Sequence, residues 1–272
     1  MINFNGEIIE KESTILSCKN RAFKYGDALF ETLKIQNSKI NLLESHYFRL
    51  MASMRMLRME IPMSFSLEFF QTEILKTVDE NELTNARVRY TVYRNDGGLY
   101  RPATNSIGYI IEASELKINI EENYEIELFK DYFIYSGLLS TLKTTNKITN
   151  VLGGIFAYEN GYDNCILLNE KKQVVETING NIFIVKDGVI KTPPITEGCV
   201  KGVMRKALID FFVKTSKYQF EESTISSFDI QKADEVFITN AIIGIQPVQK
   251  YRKKEFTAVI SNSIRKELGS LI

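Results

Sequence analysis

A single histidine, His46, occurs in the whole chain of 272 residues. A Ser-His-Asp or Cys-His mechanism would have to be built on it, and a site ligated by several histidines is excluded. Cysteine is almost as scarce. Cys18, Cys165 and Cys199 make an odd number with no close pair, so neither a CxxC metal knuckle nor a disulfide framework is expected, and they read as packing residues. No metal is expected. Neither sign of charge is in excess: 34 Lys plus Arg balance 34 Asp plus Glu. That removes the basic surplus needed for broad binding to nucleic acid or to an acidic membrane. No apolar run approaches the ~20 residues that span a bilayer. The opening MINFNGEIIEK has neither a basic start nor a long apolar stretch, so no signal peptide is read there and a cytoplasmic location is expected.

What is present is ordinary for a folded protein. Apolar residues make up 44% and charged residues 25%, with 17 Phe and 13 Tyr to fill a core, though no Trp. The length suits one large domain or two small ones at ~100–200 residues each. Chemistry must run on Lys, Glu, Arg, Tyr, Ser/Thr or a bound cofactor.

The chain opens as a hairpin, with Asn5-Gly6 turning between residues 2–4 and 7–9. Residues 28–35 (ALFETLKI) and 40–43 read as strands, followed by a helix over 43–59 with Tyr47, Leu50, Met51, Met54 and Leu57 on one stripe. A second helix is expected near 66–78, and strands at 87–94 and 107–113. The stretch 115–124 is more polar and acidic, which predicts a small N-terminal α+β domain over 1–115, a linker over 116–124 and a larger domain over 125–272. In the second part, strands are expected at 126–129, 132–135, 166–168, 174–176, 182–185, 189–191 and 235–238, and helices over 147–160, from Gly202, and over 258–268. Helices mixed with hairpin-linked strands indicate an α+β fold.

Several residues are candidates for chemistry. Lys143 lies in LLSTLKTTN, among apolar and hydroxyl residues. It is either a lysine whose stem follows a strand with its head in water, or a desolvated amine available as nucleophile or base. Glu176 ends an apolar run, where a carboxylate can hold a positive nitrogen or merely close a strand. Residues 196–205 (TEGCVKGVMR) run through glycines into a helix whose first N–H groups could bind a phosphate. Thr239-Asn240-Ala241 offers a comparable strand-to-loop donor cluster. Arg49 lies off its helix's apolar stripe and is either solvated or, if its own face is covered, a fixed guanidinium suited to phosphate. Arg21, Tyr25 and Asp27 precede the first long strand, and His46 reads as a packing residue.

Taken in order, six blocks resemble the class IV aminotransferase family, the fold-type IV enzymes that use pyridoxal 5′-phosphate. They are RAFKYGDALFE (21–31), HYFRL (46–50), KTTN (143–146), VETINGNIF (175–183), TPP with GVMR (192–194 and 202–205), and DEVFITNAIIGIQPV (234–248). The resemblance implies a two-domain fold with a small N-terminal domain, a larger pseudo-barrel C-terminal domain and the cofactor between them. It implies that Lys143 carries the cofactor as a Schiff base and shuttles the proton at Cα. Glu176 would pair with the pyridine nitrogen. Arg49, the backbone of Val203 and Met204, and the Asn240-Ala241 turn would hold the phosphate. Tyr25 would line the substrate pocket, and Arg94, Tyr100 and Arg101 in RNDGGLYR are the candidates for the substrate carboxylate. The resemblance also implies a homodimer acting on a small amino-acid-like substrate, with no nucleic acid or membrane partner.

Within that family, three features resemble 4-amino-4-deoxychorismate lyase, which eliminates pyruvate to leave 4-aminobenzoate. The chain is short, Lys147 stands where the branched-chain enzymes carry a tyrosine, and Thr239-Asn240-Ala241 resembles the lyase's phosphate turn. The lyase is therefore the expected activity. The alternatives are a branched-chain or D-amino acid aminotransferase, or a non-catalytic module of the same fold, against which the retention of both Lys143 and Glu176 speaks.

Overall fold

The computed structural model describes residues 1–13 and 16–269. They fall into two compact units: Met1–Ile118 with Lys143–Asn146, and Asn119–Leu142 with Lys147–Ile272. The short Lys143–Asn146 segment packs with the first unit although both of its flanks belong to the second.

The first unit is built on six strands: β1 (Ile2–Phe4), β2 (Glu7–Ile9), β3 (Ala28–Gln36), β4 (Lys39–Ile40), β5 (Ala86–Arg94) and β6 (Ile107–Glu115). They form one antiparallel sheet in the order β2-β1-β6-β5-β3-β4. Three helices complete the unit: α1 (Arg21–Tyr25), α2 (Leu43–Met56) and α3 (Leu67–Asp79). In β3 the pleat buries Leu29, Leu33 and Ile35 on one face. Glu31 falls in the same phase, so the fold carries a carboxylate into an apolar face. The Tyr90 ring lies 4.8 Å from Phe70 and 5.4 Å from Tyr109, centroid to centroid. Each such pair adds roughly 0.5–1.5 kcal/mol beyond its buried area.

The second unit has ten strands. They are β7 (Glu125–Leu128), β8 (Asn164–Leu168), β9 (Val174–Thr177), β10 (Asn181–Lys186), β11 (Val189–Thr192), β12 (Gln219–Glu222), β13 (Glu235–Asn240), β14 (Gly244–Val248), β15 (Lys250–Tyr251) and β16 (Lys254–Glu255). They make two sheets, ordered β12-β11-β10-β13-β14 and β16-β15-β7-β8-β9. Both sheets feed one core, Ile126, Ile166 and Val174 from one and Ile184, Val236 and Val248 from the other. Four helices flank them: α4 (Ile148–Glu159), α5 (Val203–Thr215), α6 (Ser227–Lys232) and α7 (Val259–Leu268). No helix among the described residues is long and apolar enough to cross a membrane.

One local expectation is corrected, and one strand that was not expected is present. Residues 132–135 do not form a strand. They make only an isolated bridge, Ile134 to Asn169, and Tyr132 and Tyr135 face solvent. The polar run QFEE does form a strand, β12, because α5 returns the chain parallel to β11. The short α6 is specified by a capping box between Ser226 and Asp229.

Candidate active site

Lys143 is fixed in the first unit through its main chain. Its carbonyl accepts the Phe30 N–H at 2.9 Å, and the Thr145 N–H donates to the Ala28 carbonyl at 3.1 Å. The Asn146 side chain donates to the Gly26 carbonyl at 2.9 Å, and the Thr145 hydroxyl to the same carbonyl at 3.2 Å. KTTN is thus an extra edge piece stitched to the start of β3, which explains why a lysine is embedded among hydroxyl residues. Gly26 closes α1 at φ 62°, and a Cβ there would come within 2.2 Å of Asn146 Oδ1. The Lys143 ammonium lies 4.4 Å from the centre of the Phe30 ring, a cation–π distance.

Beside it, α2 supplies partners for the carboxylate buried in β3. Arg49 Nε donates to Glu31 Oε1 at 2.8 Å, and Arg49 Nη2 pairs with Glu31 Oε2. His46 Nδ1 sits 2.6 Å from Glu31 Oε2. His46, Arg49 and Ser53 follow the helical spacing i, i+3, i+7, and the Ser53 hydroxyl donates to the Arg49 carbonyl at 2.7 Å. The Arg49 side chain is only 11% exposed, so its face of the helix is covered and the solvated reading is set aside. Burial by itself would raise the Glu31 carboxyl. The charge of Arg49 and the hydrogen bonds from His46 and Arg49 outweigh it and hold the group at about 2. Burial pushes the His46 imidazole below its usual value despite the neighbouring carboxylate.

A second ion cluster anchors the loop after β5. Asp27 Oδ2 accepts from Arg21 Nε and from Arg94 Nε, both at 2.9 Å. Arg94 also donates to Asn105 Oδ1 at 2.6 Å and to the carbonyls of Leu57 and Arg58 at 2.7 and 3.3 Å. The expectation that Arg94 receives a substrate carboxylate is corrected: its guanidinium is occupied in tying the start of the loop to the end of α2. Arg21 donates to the carbonyls of Gly97 and Leu99 and lies 4.9 Å from the Tyr25 ring centre. The Tyr25 and Tyr100 rings meet at 5.7 Å. Tyr100 itself is 90% exposed, and Arg101 beside it is exposed too.

The second unit gathers the other blocks. Glu176, at the end of β9, is buried, and its Oε2 accepts the Val200 N–H at 2.9 Å. Asn181 donates to the Val200 carbonyl at 3.0 Å. Its Oδ1 lies against Gly202, where a Cβ would come within 2.0 Å. Gly202 is the N-cap of α5 and contributes no side-chain cap, so the first N–H groups, those of Val203 and Met204 among them, are left for an acceptor outside the helix. Thr239 pairs across the sheet with Asn181, and its hydroxyl is buried without a hydrogen-bond partner among the described residues. Asn240 Oδ1 accepts from the N–H groups of Ile242 and Ile243 at 3.0 and 2.9 Å. The Asn240 side chain therefore builds the turn that carries Ala241. An uncapped helix start, a glycine cradle and an orphaned hydroxyl on the neighbouring strand form a donor set that fits a phosphate. Buried Glu176 fits a cationic ring nitrogen. Cys199 next to this loop has a thiol pushed up to about 12 by burial, with the Glu176 charge adding to the effect, so it is a packing residue.

Sequence reasoning missed Glu31 and assigned His46 to packing alone. The available signal was phase: a glutamate at a period-two position among Leu29, Leu33 and Ile35 must find cations.

Known proteins resemble this chain along most of its length. The family model for amino-transferase class IV matches residues 28–251. The chain is 28% identical over 260 residues to a branched-chain-amino-acid aminotransferase of Escherichia coli, covering 90% of this chain and 83% of that protein. A crystal structure of an Escherichia coli branched-chain aminotransferase superposes with TM-score 0.90 at 24% identity, covering 99% of this chain and 93% of the other. A D-alanine aminotransferase of Listeria monocytogenes is 26% identical over 260 residues, 90% of this chain and 85% of its own. The 4-amino-4-deoxychorismate lyase of Pseudomonas aeruginosa shares the fold, with TM-score 0.88 at 24% identity over 99% and 98% of the two chains. The chain belongs to the amino-transferase class IV family and is a pyridoxal 5′-phosphate-dependent enzyme, a transaminase or a lyase.

Proposed function

We propose that this enzyme is a transaminase that moves an amino group between small amino acids and 2-oxo acids, of the branched-chain or D-amino acid type. The observation that carries this reading is the level of similarity. Relatives matched by sequence across 90% of the chain include a branched-chain-amino-acid aminotransferase and a D-alanine aminotransferase, and a 4-amino-4-deoxychorismate lyase is similar in fold. The preference for the lyase drawn from chain length, Lys147 and the Thr239-Asn240-Ala241 turn becomes the second reading, and that turn is what favours it.

When bound, pyridoxal 5′-phosphate supplies an electron sink that lets a substrate α-hydrogen leave as a proton. Lys143 is the residue that attaches the cofactor and carries the proton to and from Cα, using an amine on a segment fixed at both ends to β3. Glu176 holds the ring nitrogen protonated, its own orientation set by the Val200 N–H. Arg49, the N–H groups of Val203 and Met204, and the Asn240-Ala241 turn hold the phosphate. Tyr25, Tyr100 and Arg101 meet the substrate, with Tyr100 and Arg101 remaining of the three candidates for its carboxylate.

The same reading includes a homodimer. Ile148, Val151, Ile155 and Tyr158 are all exposed on α4 at spacing i, i+3, i+7, i+10, with Leu138 and Leu139 exposed just before it. V151E/I155E should run as a folded monomer in light scattering where the native chain runs as a dimer. A native monomer would contradict this part.

The activity is tested by incubating holoenzyme with L-leucine, L-glutamate or D-alanine and a 2-oxo acid, and measuring the new amino acid by chromatography. Amino transfer is the expected result. Release of pyruvate and 4-aminobenzoate from aminodeoxychorismate, with no amino transfer, would replace this reading by the second.

A further inference from the structure

We infer that Glu31 is a positioning residue for cofactor binding: by gripping one edge of the Arg49 guanidinium from within β3, it sets the direction in which Arg49 meets the phosphate. This rests on the reading of Arg49 as a phosphate ligand and adds a residue to it.

Three observations carry the inference. The grip is two-pronged, Nε to Oε1 at 2.8 Å and Nη2 to Oε2, which fixes the guanidinium plane and hence where Nη1 points. Glu31 is itself held, being 1% exposed and met on Oε2 by His46 Nδ1 at 2.6 Å. A neutral His46 donating from Nδ1 leaves Nε2 as a bare acceptor, and that atom is buried with no partner among the described residues. The imidazole therefore backs the carboxylate without adding charge. An arginine in this frame has lost its rotamer freedom on folding, so binding the phosphate need not remove it again.

The charge of Glu31 makes the inference decisive to test. Counted as charge alone, a carboxylate beside a phosphate-binding arginine weakens anion binding, and its removal should tighten it. As a positioning group, its removal should loosen binding, and only for ligands that carry the phosphate.

The experiment strips the cofactor from the enzyme and measures dissociation constants for pyridoxal 5′-phosphate and for pyridoxal, which lacks the phosphate, by absorbance. E31Q is expected to reduce the preference for the phosphorylated ligand by roughly tenfold to a hundredfold, the scale of a lost charge-assisted hydrogen bond. Its affinity for pyridoxal should remain near native. E31D keeps the charge but withdraws the carboxylate by one methylene. It should show a smaller loss in the same direction, and it decides the question if E31Q does not fold by circular dichroism. Equal weakening for both ligands would make Glu31 merely structural, and unchanged or tighter binding of the phosphorylated ligand would overturn the inference outright. R49Q separates the two claims. If R49Q keeps the native preference, Arg49 is not the phosphate ligand and the reading beneath fails. If R49Q loses it while both Glu31 variants keep it, only the role of Glu31 fails.

Discussion

The carbonyl oxygen of Lys143 accepts the N–H of Phe30 at 2.9 Å, so the lysine is joined to the strand that carries Glu31 on the very next residue. The Lys143 segment and the carboxylate that grips Arg49 are therefore referenced to one strand. Gly26 guards this junction, because its φ of 62° strains any side chain and a Cβ there would have to displace the Asn146 amide, 2.2 Å away at Oδ1. G26A should destabilise the protein by more than about 1 kcal/mol and lower turnover as the Lys143 segment detaches. Urea unfolding together with initial rates checks this, and an unchanged midpoint with native turnover would contradict it.

Arg94 holds Asp27, Asn105 and the end of α2 together from a buried position. Asp27 keeps Arg21 when Arg94 is removed, so the loss is partial. R94A should cost about 3 kcal/mol of stability, the lower end for breaking a buried pair. R101A should leave stability native and raise the KM for the amino donor. Urea midpoints and KM values for both variants test the division of roles. A native midpoint in R94A with a raised KM would restore Arg94 as a substrate ligand.

Acid should unfold this protein partly through the Glu31–His46 pair. Both groups have folded values below their unfolded ones, so each contributes stability that is fully present above its unfolded value and lost as pH falls. His46 acts first, below an unfolded value of ~6.5. Glu31 follows, from ~4.3 down towards its folded value of about 2. Urea midpoints should fall from pH 7 to 5 in the native protein and fall less in H46Q. E31Q should lose the steeper fall below pH 4.5. Parallel curves for all three proteins would contradict the assignment.

Much of the architecture was legible in residue order, and the reasons are local. Alternation marked β5, an apolar run marked β6, the polar turn after residue 35 helped mark β3, the Asn5-Gly6 turn marked the first hairpin, and the stripe of Tyr47, Leu50 and Met54 marked α2. The strand β12 was not legible, since QFEE gains its ladder only from β11 after α5 has returned the chain. Nor were the roles of Glu31 and Arg94. Alternation alone cannot say which buried charge meets which, and Arg94 finds Asp27 and Leu57 only once sheet and helix are assembled. Glu176, Asn181 and Gly202 lie up to 26 residues apart in sequence and are joined by hydrogen bonds and close approach around Val200. A motif can announce that joining, but composition cannot.

The most direct measurement is the visible absorbance of the holoenzyme, alongside K143A, as L-leucine, L-glutamate and D-alanine are added one at a time without an acceptor. A transaminase must lose its visible cofactor band with at least one donor and release the matching 2-oxo acid in equal amount, and K143A must do neither at a comparable rate. A band that survives all three donors, in an enzyme that still releases 4-aminobenzoate and pyruvate from aminodeoxychorismate, would contradict the transaminase and leave the lyase.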